Sequence, residues 1–400
     1  MHNMKVFIVT KEGFPNGMAA TNRIKCYARA LHDGGMDCEV LVCGSTEIQG
    51  VVRNTEANGV YEGVSYHYIG GTTSDYHSKP IRRLLQLYRY HQTEKYLKRH
   101  INRGDAVLLY LGQRVKLIIR LIKLIQKQGG YCVTDLCEYP YGARNEKQTI
   151  ALRNMVFNKQ FPLLNGIISI SDSLLNLAKS KTSEKCHHVK VPIMVEYEHY
   201  YIEKNPDKNT IPYIFHAGTL SEQKDGILGM IEAFGIAKNE LQIPIKYILT
   251  GSIDTSPQAS EIRCLINKYH IEDSVVFVGY LFRDQINNYL RNASLVISNR
   301  PKSIQDYYGF STKVGEYLAS GTPLITTRWG EVVNWLVDGE TAYVVEPENV
   351  RALADTIIRV FNTPEESRRI GQEGQEVCKK CFDYRNWSKI LVDYFHHLSE

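Results

Sequence analysis

Glu316 is the residue whose setting most narrows its chemistry. It lies four residues beyond the end of a small loop, Gly309-Phe310-Ser311-Thr312, within the stretch YGFSTKVGEYLASGTPLITT that runs from Tyr308 to Thr327. Val314, Tyr317 and Leu318 fall at helical spacing after the loop, and Gly321-Thr322-Pro323 ends that pattern before the apolar pair Leu324-Ile325. A glycine and hydroxyl loop at a helix N-terminus presents unpaired amides and the positive end of the helix dipole to an anion. A carboxylate in the same first turns repels phosphate and instead accepts hydrogen bonds from sugar hydroxyls. Together these groups suit a ligand that carries both phosphate and sugar.

Other candidates follow the ends of apolar runs. Asp135 and Glu138 come after Tyr131–Thr134, where open α/β sheets place groups that touch ligands. Asp135 reads equally as a helix cap. Gly17 belongs to a glycine-rich segment after the run Lys5–Thr10; it either lets a ligand approach the backbone or serves an ordinary turn. That segment lacks G-x-G-x-x-G, so no nicotinamide cofactor is implied. In the second half, Gly218 and Thr219 follow Tyr213–Phe215, and Gly251 ends Ile245–Thr250.

The elements that must hold these residues alternate between short apolar runs and helical patterns. Lys5–Thr10, Glu39–Cys43, Ala106–Leu111, Tyr131–Thr134 and Gly166–Ser171 read as strands, separated by helices over 21–32, 79–103 and 114–127. A second series begins at Tyr213 and includes Ile245–Thr250, Val275–Val278, Leu295–Ser298 and Pro323–Thr326. The fold class is therefore α/β, with two doubly wound Rossmann-like domains. The expected division is 1–200, 201–384 and a C-terminal helix in 385–400 that crosses back over the first domain, with the boundary in the polar segment Glu196–Thr210.

Composition narrows the function classes. The 400 residues exceed a single core, and 43% apolar with 23% charged residues describes an ordered globular chain. A net charge of +5 is too small for a committed nucleic-acid binder. No apolar run approaches the ~20 residues of a membrane span. The N-terminus reads as a strand rather than a signal peptide, so a cytoplasmic location is expected, extending to the inner face of the membrane. Basic amphipathic helices over 79–103 and 114–127 suit an anionic membrane surface or, more commonly, form solvated outer helices. The nine cysteines are read as reduced, buried small hydrophobes, Cys38, Cys43, Cys132 and Cys264 among them. The lone pair Cys378 and Cys381 has no second pair to complete a zinc site, and no metal is expected.

Several segments together resemble one family. HAGTLSEQKDG, from His216 to Gly226, is similar to the Gly-Arg-Leu-x-x-x-Lys-Gly loop of GT-B-fold glycosyltransferases, and Glu316-Tyr-Leu-Ala-Ser-Gly-Thr-Pro is similar to their Glu-Ala-x-Ala-x-Gly-x-Pro motif. The resemblance is strongest to the retaining glycosyltransferase family 4 (glycosyl transferases group 1). It implies two domains facing across a cleft and a nucleotide-diphosphate sugar as donor, with no cofactor. It implies a glycan or lipid-linked acceptor, in surface polysaccharide synthesis.

By that resemblance Lys224 contacts the diphosphate and Glu316 the ribose. Gly17, Gly218, Thr219, Gly251, Tyr308, Gly309, Phe310, Ser311 and Thr312 complete the donor side. Asp135 joins Lys224 and Glu316 as a catalytic candidate, and Glu138 and Tyr139 are acceptor-side candidates. The sequence departs from the family twice: Tyr308 stands where a sugar-holding Glu is usual, and Thr219 where an arginine is usual. These departures support one alternative, a donor-binding partner subunit of another transferase; a second alternative, a GT-B sugar-nucleotide epimerase, is disfavoured by the resemblance of the Glu316 motif.

Overall fold

The computed structural model describes residues 4–44, 47, 52–75, 78–140, 145–200 and 211–400. Two thirds of the expected boundary segment, residues 201–210, lies outside them. The chain divides into two compact units, Met1–Met194 with Tyr384–Glu400, and Val195–Asp383.

The first unit is built on an eight-stranded sheet. Its strands are β1 (Lys5–Thr10), β2 (Asp37–Val42), β3 (Asn58–Tyr61), β4 (Val64–Tyr68), β5 (Ala106–Tyr110), β6 (Tyr131–Leu136), β7 (Gly166–Ser169) and β8 (His187–Lys190). Their order is β3-β4-β2-β1-β5-β6-β7-β8, parallel except for the β3–β4 pair. β1 lies at the centre, with Val6–Val9 at 0–1% exposure, which is why its run is apolar on both faces.

The β3–β4 hairpin is not anticipated from the sequence. It turns on Glu62 and Gly63, both at positive φ (47° and 84°), a two-residue connection matching strand twist. Its first strand is half-exposed and mixed in polarity, so apolar runs do not reveal it.

The C-terminal helix Ser388–His397 packs in the first unit. Leu391, Tyr394 and Phe395 join the cluster of Tyr27, Ala30 and Leu31, while the Tyr384 hydroxyl donates to Asp33 at 2.8 Å.

The second unit has strands β9 (Tyr213–His216), β10 (Lys246–Leu249), β11 (Val275–Phe277), β12 (Leu295–Ser298), β13 (Leu324–Thr327) and β14 (Tyr343–Val345). All pair in parallel, in the order β11-β10-β9-β12-β13-β14. The chain moves outward from β9 to β11, then returns to the other side of β9 with β12. The strand order thus reverses between β9 and β12, and in such sheets the carboxyl ends of the strands at the reversal form the natural ligand crevice.

A buried polar anchor of the first unit is Asp135. It stands inside β6, which runs two residues further than expected, and its side chain is 0% exposed. Arg23, from the helix Ala19–Asp33, grips it twice, at 3.0 and 2.9 Å. The Tyr27 hydroxyl donates to the same carboxylate at 2.6 Å, and the carbonyls of Pro192 and Val191 accept from Arg23 at 2.7 and 3.0 Å. Asp135, expected as a catalytic group, accepts three hydrogen bonds from Arg23 and Tyr27, which tie the first helix to the sheet.

A buried pair of this kind contributes little net stability against apolar residues, but breaking it leaves a charge without compensation. Asp135→Ala should therefore cost roughly 3–5 kcal/mol, read as a lowered denaturant midpoint. A loss below about 1 kcal/mol, the level of an exposed pair, would contradict this role.

Candidate functional site

At the reversal point of the second sheet, β9 ends on His216 and β12 on Ser298. After β9 the chain makes a tight excursion, Ala217 to Ser221, into a single helical turn Glu222–Asp225 and then the helix Ile227–Leu241. Two neighbours, Tyr317 and Thr250, hold the excursion in place. The Ala217 amide donates to the Tyr317 hydroxyl at 2.8 Å, and the Gly218 amide donates to Thr250 Oγ1 at 2.8 Å. Thr250 returns its hydroxyl proton to the Gly218 carbonyl at 3.1 Å. Gly251, at φ 89°, then turns away, and its amide bonds the Gly279 carbonyl at 2.7 Å.

In front of Gly218 three charged or titratable side chains converge. A methyl group placed there would stand 2.3 Å from His216 Nε2, 2.9 Å from Asp225 Oδ2 and 3.0 Å from Lys313 Nζ. Only glycine leaves that space open. Asp225, 2% exposed, is the hub. It accepts from the Thr219 amide at 3.2 Å and forms a short ion pair with Lys313, which comes from the first turn of the helix Thr312–Ala319. Lys313 keeps 23% of its side chain exposed.

The charges settle as burial and proximity dictate. Burial alone would raise the Asp225 carboxyl; Lys313, His216 and Arg300 instead hold it well below the usual carboxylate range. Burial, with a smaller contribution from Lys313, lowers His216 from 6.5 to about 4. His216 is thus neutral at pH 7; its Nδ1 donates to the Ile297 carbonyl at 2.9 Å and its buried Nε2 has no hydrogen-bond partner. Burial also draws Lys313 below 10.5, against the opposing pull of Asp225.

A second cation follows β12. Arg300 pairs with buried Asp306 and donates Nη1 to the Lys224 carbonyl. Asp306 also accepts from Ser303 Oγ at 2.5 Å, and Ser303 caps the short helix Ile304–Tyr308. Asp306, two residues before Tyr308, is therefore engaged with Arg300 and Ser303. Tyr308 ends that helix half-buried, edge-on to Tyr307 at 5.2 Å.

The expected donor-side groups divide by what they touch. Lys224 is exposed, and among the described residues its ammonium has no ion pair. Gly309, Ser311 and Thr312 lead into the helix Thr312–Ala319, and the hydroxyls of Ser311 and Thr312 have no hydrogen-bond partner among the described residues. Glu316 lies one turn beyond Lys313 on the same face, half-buried; its charge acts on both Lys313 and Tyr200. The Phe310 ring is 7% exposed and packs edge-on against Phe382 at 5.6 Å.

Gly17, Asp135, Glu138 and Tyr139 all lie in the first unit. A side chain at Gly17 would meet Thr21 Oγ1 at 1.9 Å, so a packed turn explains that glycine. Glu138 is exposed, while Tyr139 lies under Arg153 at 4.9 Å and beside Phe157.

Arg300, Lys313, Asp225 and His216 were not singled out from the sequence. Lys313 had a signal, a cation three residues before Glu316; Arg300 had none. All nine cysteines are free, but Cys264 is exposed and Cys137 and Cys381 are only half-buried, which corrects the expectation of burial for those three. Among the described residues, no group of three or more His, Cys, Asp or Glu could hold a metal ion.

Comparison with known proteins agrees with this architecture. The family described as glycosyl transferases group 1 matches residues 200–377. N-acetyl-alpha-D-glucosaminyl L-malate synthase of Bacillus anthracis is 28% identical over 165 residues, 41% of this chain and 39% of that protein. The capsular polysaccharide biosynthesis glycosyltransferase CapM of Staphylococcus aureus is 24% identical over 58% of this chain and 62% of its own length. The chain thus spans less than two thirds of the length of either relative.

Sucrose-phosphate synthase from Thermosynechococcus elongatus superposes with TM-score 0.72 at 16% identity, covering 99% of both chains. HepE from Anabaena in complex with UDP-glucose gives 0.70 at 13% identity over 98% of both. The fold is GT-B.

The lowered His216 makes the second unit acid-sensitive. Its stability contribution is complete above pH 6.5 and is lost as pH falls from 6.5 toward 4, because the unfolded chain takes up the proton first. The full loss is about 3 kcal/mol at 1.36 kcal/mol per pKa unit. Denaturant midpoints between pH 7 and 4.5 should fall in the native protein and lose that slope in His216→Gln. An equal slope in both would contradict the assignment.

Proposed function

Residues 200–377 belong to the glycosyl transferases group 1 family, and on that premise we propose that the chain transfers a sugar from a nucleotide-diphosphate donor to a glycan or lipid-linked acceptor. The observation that carries this is the set of cations at the β9–β12 reversal. Lys313 pairs with Asp225 and Arg300 reaches the Lys224 carbonyl, with the Thr312–Ala319 helix N-terminus following and Glu316 one turn on from Lys313. In the transfer, the bond from the anomeric carbon to the diphosphate oxygen breaks and an acceptor hydroxyl oxygen takes its place. Negative charge grows on the leaving diphosphate. Fixed cations and amides aimed at that charge lower the barrier without a metal.

Glu316 then accepts from the ribose hydroxyls. Retention of configuration and surface polysaccharide synthesis belong to this proposal. So does peripheral contact with an anionic membrane, since the helix Lys79–His100 leaves Ile81, Leu84, Leu87 and Tyr88 exposed near Arg82 and Arg83. No described helix is long and apolar enough to cross a membrane.

A second reading has its own support. Neither Tyr308 nor the engaged Asp306 supplies a free carboxylate for the transferred sugar, which suits a donor-binding partner subunit of another transferase.

A panel of sugar nucleotides tested for thermal stabilisation and then for hydrolysis separates the two. A transferase consumes at least one of them, and Lys313→Met lowers its turnover by about 10²–10³, the scale of a lost charge stabiliser. Glu316→Ala weakens donor binding by roughly 1.5–3 kcal/mol. Stabilisation without consumption favours the partner subunit; neither effect excludes both readings. Membrane contact predicts co-sedimentation with anionic but not neutral vesicles, lost in Leu84→Ser/Leu87→Ser.

A further inference from the structure

Outside the proposed donor site, the first unit carries a pocket of about 260 Å³ between the end of β4 and the last turns of the helix Lys79–His100. Behind the lining residues Tyr96 and His67, one carboxylate is already engaged. The Glu39 carboxylate, 5% exposed, is held by Lys5 at 2.8 Å, by the Tyr96 hydroxyl at 2.5 Å and by His67 Nε2 at 3.2 Å. His67 reaches Asn58 with its other nitrogen, at 2.9 Å.

The wall is different. Gln92, Lys95, Arg99 and His100 follow one another at spacings of three, four and one residues, so one side of the helix carries them all toward the opening. Among the described residues, Lys95 and Arg99 have no ion pair and the Gln92 side chain has no hydrogen bond. His100 stacks on Tyr96 with ring centroids 4.0 Å apart. It uses Nδ1 on the Tyr96 carbonyl at 2.8 Å, which leaves Nε2 for a partner outside the helix.

The lining therefore holds one carboxylate-free wall with two unpaired cations, an amide and an available imidazole nitrogen. Elsewhere on this helix a cation does have a carboxylate: Arg89 pairs with Asp75. We propose that this pocket is a binding site for a compact dianion, the phosphate monoester group of a small metabolite or of a lipid headgroup. Arg99 and Lys95 would hold its charge, and the Gln92 amide would donate to a remaining oxygen. The Tyr96–His100 stack offers an aromatic edge to whatever carries the phosphate. This inference does not depend on the glycosyl-transfer reading, because none of its residues belongs to the second unit.

Calorimetric titration of the whole protein with glucose 6-phosphate, with UDP present in excess to occupy the second unit, tests the site. A parallel titration uses vesicles of phosphatidylcholine with and without phosphatidic acid. The site predicts saturable binding of at least one phosphate monoester. It also predicts at least a tenfold weakening in Lys95→Gln/Arg99→Gln, with the thermal transition unchanged because both side chains are on the surface. Binding of the soluble ester alone marks a metabolite site, and binding of phosphatidic acid vesicles alone marks a headgroup site. Absence of both, or affinity equal in the double variant and the native protein, overturns the proposal. Loss of binding in Lys313→Met but not in the double variant overturns it as well.

Discussion

The second unit depends on one buried carboxylate. Asp225 is 2% exposed, and a lone ion at such a position would be expelled or neutralised. It persists because Lys313, the Thr219 amide and the nearby His216 all face it. That requirement fixes the loop after β9 and sets the first turn of the helix Thr312–Ala319 against it, while burial, against the pull of Asp225, leaves His216 uncharged at neutral pH. Glycine at 218 follows from the same crowding, since a methyl group would meet His216 Nε2 at 2.3 Å. The anion-facing surface is thus a by-product of satisfying one anion inside the protein.

The two units use buried carboxylates to different ends. Asp135 accepts from Arg23 and Tyr27, 2% and 0% exposed, and is sealed within the first unit. Asp225 is paired to a lysine that keeps 23% exposure. Both carboxylates stand at or near the end of a sheet strand. Their difference lies in the partner, which comes from 112 residues away for Asp135 and 88 for Asp225.

That distance explains what was legible in the sequence. Strands such as Lys5–Thr10 and Leu295–Ser298 match expectation to the residue, because their apolar runs are buried on both sides of a parallel sheet. The stretch from Gly309 to Pro323 was legible too, as a loop, a helix and a stop. The β3–β4 hairpin was hidden by mixed polarity. Asp135 was misplaced because nothing local distinguishes a ligand-facing carboxylate from one awaiting Arg23. Phe310 sits in a suggestive motif, yet its ring is claimed by Phe382. Arg300 was missed for the opposite reason: its two partners, Asp306 and the Lys224 carbonyl, come together only when β9 and β12 lie side by side.

The central claim is that this reversal point holds a nucleoside diphosphate through Lys313. Calorimetric titration with the diphosphate and monophosphate of the same nucleoside, UDP against UMP and GDP against GMP, isolates the contribution of the second phosphate. Repeated on Lys313→Met, it becomes a double-mutant cycle in which one partner is the ligand's own phosphate. The account predicts that for one base the diphosphate binds at least tenfold more tightly than the monophosphate. That margin should collapse in the variant while monophosphate affinity stays nearly unchanged. An equal margin in both proteins would contradict the account.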